Sequence, residues 1–180
     1  GSMIYDKINN GIWIGSNRGI YFYDLTAKRL TAPLPQRITA NISGSLGIII
    51  DNKNVLWMGT TVGIIKVNLN SFHHNRKTFS CTLSSPQQSN RITAFRNKVT
   101  FFSLAKDGTM WIGTDGYGLV KARHGRYTLY GTREGLCNDV IAQIEIDNKN
   151  HLWLATANGL ACFNPRTARF TNYYKQNGMA

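Results

Sequence analysis

Apolar and polar positions alternate along this chain in short runs, each closed by a cluster of Gly, Asn, Asp or Ser. Period-two alternation bounded by turn residues predicts half-buried strands joined by hairpins. A 3.6-residue period is weak throughout, so no helix is expected. The runs also repeat: "GIWIGSNRGIYFYD" begins at Gly11, "VLWMGTTVGIIKVN" at Val55, "TMWIGTDGYGLVKAR" at Thr109 and "HLWLATANGLACFN" at His151. All four tryptophans, Trp13, Trp57, Trp111 and Trp153, fall at the same place in the repeat, 44, 54 and 42 residues apart. Two residues after each stands Gly15, Gly59, Gly113 or Ala155. A further glycine (Gly19, Gly63, Gly118, Gly159) then precedes an aliphatic residue. A period of this length points to a propeller or a solenoid.

Each copy reads as four strands. An apolar run comes first and ends in a turn at Asn10, Asn54, Gly108 or Asn150, three residues before its Trp. Asn and Gly tolerate the positive φ that tight hairpin turns require, and Asp51 and Asp147 stand where a side chain can cap the turn. The Trp strand follows, then a second turn (16–18, 60–62, 114–117, 156–158). A third strand ends near Asp24, Asn68, Arg123 or Asn164, and a polar fourth strand closes the copy ("KRLTAPL", "HHNRKTFS", "GRYTLYG", "ARFTNYY"). The expected fold is all-β: a β-propeller of four four-stranded antiparallel blades at 4–34, 44–80, 99–131 and 136–174. Residues 1–3 read as an expression scar and 81–98 as a long linker, with all blades in one partial propeller domain. One such sheet cannot bury both faces alone, and blades set around an axis solve this by packing face on face. The tryptophans would be wedges between blades, and the glycines would permit sharp turns and close backbone approach. These positions define the fold rather than a site.

Composition adds two constraints. At 180 residues and 42% hydrophobic the chain can bury a substantial core, and no apolar stretch is long enough for a membrane helix. Three cysteines at unrelated repeat positions, Cys81, Cys137 and Cys162, argue against a disulfide framework or a zinc site. The charge is +12, from 21 Lys and Arg against 9 Asp and Glu, which favours anionic partners. Its densest groups are Lys28-Arg29, Arg76-Lys77 and Lys121–Arg126, none a continuous basic run. Zinc-finger spacing, ribonucleoprotein aromatics and a helix-turn-helix pattern are missing, so no nucleic-acid partner is expected.

The third and fourth copies, with "WIGTDGYGLV" followed by "GTREGLCNDVI" between blades, resemble the two-component regulator propeller repeat. The likeness covers nearly the whole chain. Copy one has Lys7 where that pattern has Asp, copy three has its Asp displaced to Asp107, and copy four has Ala155 for Gly. The resemblance implies the periplasmic sensor region of a hybrid two-component histidine kinase of Bacteroides-like bacteria. It further implies seven-bladed propellers ahead of a membrane helix and kinase, and an oligosaccharide ligand. Four blades would then be a fragment of one propeller.

Catalytic chemistry finds little support. There is no HExxH and no GxSxG, and adjacent His73 and His74, if on a strand, would point to opposite faces. No catalytic residue, cofactor or metal is expected. A ligand would sit where turns after the Trp strands meet the links between blades. The turns offer Arg18, Thr61, Asp115, Tyr117 and Asn158, and the links offer Arg37, Asn41, Arg91, Arg96, Arg133 and Asn138. Planar hydrogen-bonding groups and aromatic rings suit sugars, so the candidates are Arg18, Arg37, Arg91, Asp115, Tyr117, Arg133 and Asn158. The ligand would be anionic if the basic side chains gather on one face. Two other readings remain: a propeller lyase of the streptogramin-inactivating type, and a structural module that self-associates through exposed terminal blades. Two bare end faces of roughly 400 Å² each would be worth about 20 kcal/mol before the entropy of association.

Overall fold

Among the described residues of the computed structural model (2–39, 45–61, 63–84 and 99–174), the chain forms four antiparallel sheets of four strands, each a meander in chain order. The first holds β1 (Ser2–Asp6), β2 (Gly11–Ser16), β3 (Gly19–Asp24) and β4 (Arg29–Thr31). The second holds β5 (Ser45–Ile50), β6 (Val55–Thr60), β7 (Gly63–Asn68) and β8 (Cys81–Ser84). The third holds β9 (Val99–Leu104), β10 (Met110–Thr114), β11 (Leu119–Arg123) and β12 (Arg126–Tyr130). The fourth holds β13 (Ile141–Ile146), β14 (Leu152–Thr156), β15 (Gly159–Asn164) and β16 (Arg169–Tyr173). The chain divides into two compact modules, Gly1–Lys98 and Val99–Ala180, each with two sheets.

Two expectations need correction. Helix is present: α1 (Gln36–Thr39) follows β4, and α2 (Leu69–His74) follows β7. His73 and His74 therefore lie in the last turn of a helix, with ring centroids 6.0 Å apart, not on a strand. The fourth strand of the second sheet is Cys81–Ser84 rather than 73–80, because α2 takes up that part of the connection. Ser2 and Met3 belong to β1, paired with Gly15 and Ile14.

The hairpins form where the turn chemistry places them. Asn10, Asn54, Gly108 and Asn150 have φ of 45°, 59°, 79° and 63°, the left-handed region Asn and Gly enter most readily. After each Trp strand a hydroxyl spans the next turn: Ser16 Oγ and the Oγ1 atoms of Thr60, Thr114 and Thr156 donate to the carbonyls of Gly19, Gly63, Gly118 and Gly159, at 2.7–3.2 Å.

Each sheet has unlike faces. Trp13 pairs with Phe22 and Trp111 with Lys121 on one face, while the flanking aliphatic positions point to the other. In Gly1–Lys98 the Trp13–Phe22 face packs on Leu56, Met58, Ile65 and Val67 of the second sheet, the face opposite Trp57. In Val99–Ala180 Trp111 and Leu119 pack on Leu152, Leu154, Ala161 and Phe163, the face opposite Trp153. Both modules thus join a Trp face to an aliphatic face in the same sense. Trp13 and Trp111 are buried, whereas Trp57 and Trp153 are half-buried, the first under Lys66 Nζ at 3.8 Å and the second stacked on Tyr173 at 5.9 Å.

A carboxylate anchors three of the four indoles. Trp57 Nε1 donates to Asp51 at 2.8 Å and Trp153 Nε1 to Asp147 at 3.1 Å, while the other oxygen of each carboxylate caps the hairpin turn. Lys7 does not break this pattern in the first sheet. Asp6, one residue earlier, accepts from Trp13 Nε1 at 3.0 Å, from Asn9 Nδ2 at 2.8 Å and from the Ile8 and Asn9 backbone. In the third sheet Ala105 takes the equivalent place, shown by its backbone bonds to Thr109 and Gly108, which match those of Asp51 to Val55 and Asn54.

Candidate functional site

In Val99–Ala180 the two kinds of connection do meet. The link 131–140 lies against the turn 114–118 on one side and 156–159 on the other. Asp139 O accepts from Gly116 N at 3.1 Å and from Gly118 N at 2.7 Å, and Asp115 bridges Val140. Val140 O in turn accepts from Ala157 N at 3.1 Å. The Asp139 carboxylate holds both the N–H and the hydroxyl of Thr132, and Asn172 Nδ2 donates to Gly135 O. Leu136 anchors the link in the core. Gly118 is needed here: its φ is +83° and a Cβ would lie 2.5 Å from Tyr130 O.

This rim brings together four of the candidates. Asp115 and Tyr117 are half-buried in the lengthened turn, with Tyr117 N donating to Thr114 Oγ1 at 3.1 Å. Arg133 is exposed in the 3₁₀ turn Thr132–Glu134, and Asn158 is exposed at the tip of the neighbouring turn. In Gly1–Lys98, Arg18 lines a cleft of about 200 Å³ with Tyr21, Leu34 and Thr39. Arg37 is on α1, where its charge partly offsets the burial that pushes the Cys81 thiol up to about 11. Arg91, with Arg96 and Asn41, lies outside the described residues.

The densest basic chemistry lies at the other end of the third sheet, since alternate turns of a meander lie at opposite ends. A cleft of about 300 Å³ between the third and fourth sheets is lined by Ala105, Trp111, Lys106, Lys121, Arg123 and Arg166, among others. Its carboxylate, Asp107, pairs with Arg123 at 2.9 Å. Although burial pushes Asp107 upward, the Thr109 N–H and hydroxyl with Arg123 and Lys121 hold it below the ordinary carboxylate value. None of these side chains was a candidate. The signals were the basic group 121–126 and the displaced Asp of copy three, which only the fold brings together. Among the described residues no three His, Cys, Asp or Glu side chains converge on a metal-sized site.

No family model matches the chain, and no curated protein matches it. Solved structures do. The extracellular domain of a putative one-component system from Bacteroides thetaiotaomicron aligns with 95% of this chain at 25% identity and a TM-score of 0.72. The extracellular domain of a putative hybrid two-component system from the same bacterium aligns with 99% at 24% identity and a TM-score of 0.73. The sheets are β-propeller blades. The chain spans about a fifth of these two proteins' structures, 21% and 23% of their lengths. Virginiamycin B lyase from Staphylococcus aureus aligns with 96% of this chain and 54% of its own at 12% identity and a TM-score of 0.65, a likeness of fold alone. No described helix of this propeller segment is long and apolar enough to cross a membrane.

Proposed function

We propose that this chain is a ligand-sensing propeller segment from the periplasmic region of a two-component sensor, part of a larger propeller, with no catalysis of its own. The observation that carries this reading is the alignment of 95–99% of the chain with extracellular domains of putative one- and two-component systems. Its ligand is an oligosaccharide held at the rim by Asp115, Tyr117, Arg133 and Asn158. That rim offers a planar cation, an amide and a phenol on connections braced by Asp139, so little order is lost on binding. Signalling through a histidine kinase belongs to the whole protein of which this segment would be part.

The test is calorimetric titration with a panel of neutral and anionic oligosaccharides, on the wild type and on R133A/N158A. The expected result is saturable binding to at least one, weakened tenfold or more in the double variant with an unchanged melting temperature. Binding that the double variant leaves intact would remove the rim from the proposal. Quinupristin consumed in the presence of a divalent metal, with no sugar bound, would replace the sensor reading with a lyase.

A further inference from the structure

The clefts beside the two buried tryptophans are built alike and filled differently. Beside Trp13 the chain fills the space itself. Asp6 accepts from the indole, and the rings of Phe22 and Phe72 lie 5.0 and 5.1 Å from it. Beside Trp111 the partners differ: its ring neighbours are Phe163 and Tyr130, with centroids 5.6 and 6.3 Å away. Ala105 stands where the carboxylate would be, and among the described residues none accepts from the Trp111 indole N–H. Lys121 lies across from Trp111, its Nζ 5.7 Å from the ring, where Phe22 lies across from Trp13. The β15–β16 connection is a short turn carrying Pro165 and Arg166, whereas the β7–β8 connection carries α2 and Phe72. The result is the cleft of about 300 Å³, a volume at the small end of ligand pockets. Of its four cations only Arg123 is ion-paired among the described residues, with Asp107.

We propose that this cleft binds a small ring carboxylate. The carboxylate takes the place that Asp6, Asp51 and Asp147 hold beneath their indoles, accepting from Trp111 Nε1 and facing Lys106, Lys121 and Arg166. The ring lies against the part of Trp111 that lines the cleft, beside the contacts Phe163 and Tyr130 make with the indole. A sugar acid and an aromatic acid share this chemistry. The site is separate from the rim, at the opposite end of the blade, and does not depend on a ligand there.

The experiment titrates the whole chain with sodium glucuronate and with sodium benzoate, following the Trp111 indole N–H resonance, assigned by its loss in W111F. Glucose, benzamide and sodium sulfate serve as controls. One or both carboxylates should shift that resonance saturably, and the tighter of the two identifies the source. Binding should weaken several-fold between 50 and 500 mM salt. A105D restores the chain's own carboxylate and should lower affinity at least tenfold while keeping or raising the melting temperature; K121Q should lower affinity without unfolding the chain. The proposal is overturned if neither carboxylate binds at 10 mM, if sulfate binds equally well, or if A105D binds like the wild type.

Discussion

Replacing Asp6 by Ala tests whether burial decides what the carboxylate–indole bond is worth. Asp6 is fully buried and accepts from Trp13 Nε1, Asn9 Nδ2 and the Ile8 and Asn9 backbone. In D6A the Trp13 indole and the Asn9 backbone N–H lose their acceptor out of reach of water, while Asn9 Nδ2 keeps Leu69 O at 3.2 Å. Each buried donor left unpaired costs about 1–3 kcal/mol, so the variant should lose about 4 kcal/mol. For a domain of 60–100 residues that corresponds to a melting temperature lower by about 15 °C or more. D51A removes the same kind of bond from the same module, but Asp51 is half-buried and Lys53 N–H is exposed, so water replaces the acceptor. Its loss should be about 1 kcal/mol. Urea unfolding followed by far-ultraviolet circular dichroism measures both. Equal losses, or a loss below about 1 kcal/mol for D6A, would refute the reasoning.

Gly118→Ala should destabilise strongly, since its Cβ would strike Tyr130 O, whereas Gly125→Ala, with φ of +75° and open space around it, should cost only the left-handed strain of about 1–2 kcal/mol; urea melts of the pair check the difference. Burial raises the Cys81 thiol to about 11 despite Arg37, so at pH 8 it should react with a disulfide reagent far more slowly than a free thiol, and more slowly still in R37A. Asp147 is held below its ordinary value of 3.8 by the His151 N–H and, against burial, by the Trp153 indole, the Lys149 N–H and the His151 charge. Its stabilisation is therefore complete above the unfolded value and lost as pH falls through the lower folded one. Acid unfolding of D147N should lack that part of the transition.

The repeat was legible because each copy carries its own punctuation. Asn10, Asn54, Gly108 and Asn150 were readable as left-handed turns, and third-strand ends at Asp24, Asn68, Arg123 and Asn164 match the structure. What escaped was short or offset. The residues of α2, "LNSFHH", make less than two turns, too few to show a period, though Asn68 caps it by accepting from Ser71 N. Asp6 escaped because the first turn is one residue longer, which moves the carboxylate off the position that Lys7 occupies by count. The rim was legible in part, since Asp115, Tyr117 and Asn158 sit in turns whose place follows from the meander. Asp139, which braces that rim through side chain and backbone together, leaves no mark in composition or spacing. The basic cleft escaped because it depends on side chains from two blades and on an absence at Ala105.

A blade with unlike faces gives each pair of packed blades a direction. Any blade left with a bare indole surface is matched by the aliphatic surface of another blade, not by a copy of itself. Self-assembly through end blades would then be heterologous, closing into a ring or running on as a fibre, and a twofold dimer would have to place like against like. The same polarity lets a gene gain or lose whole blades in tandem without redesigning the joints.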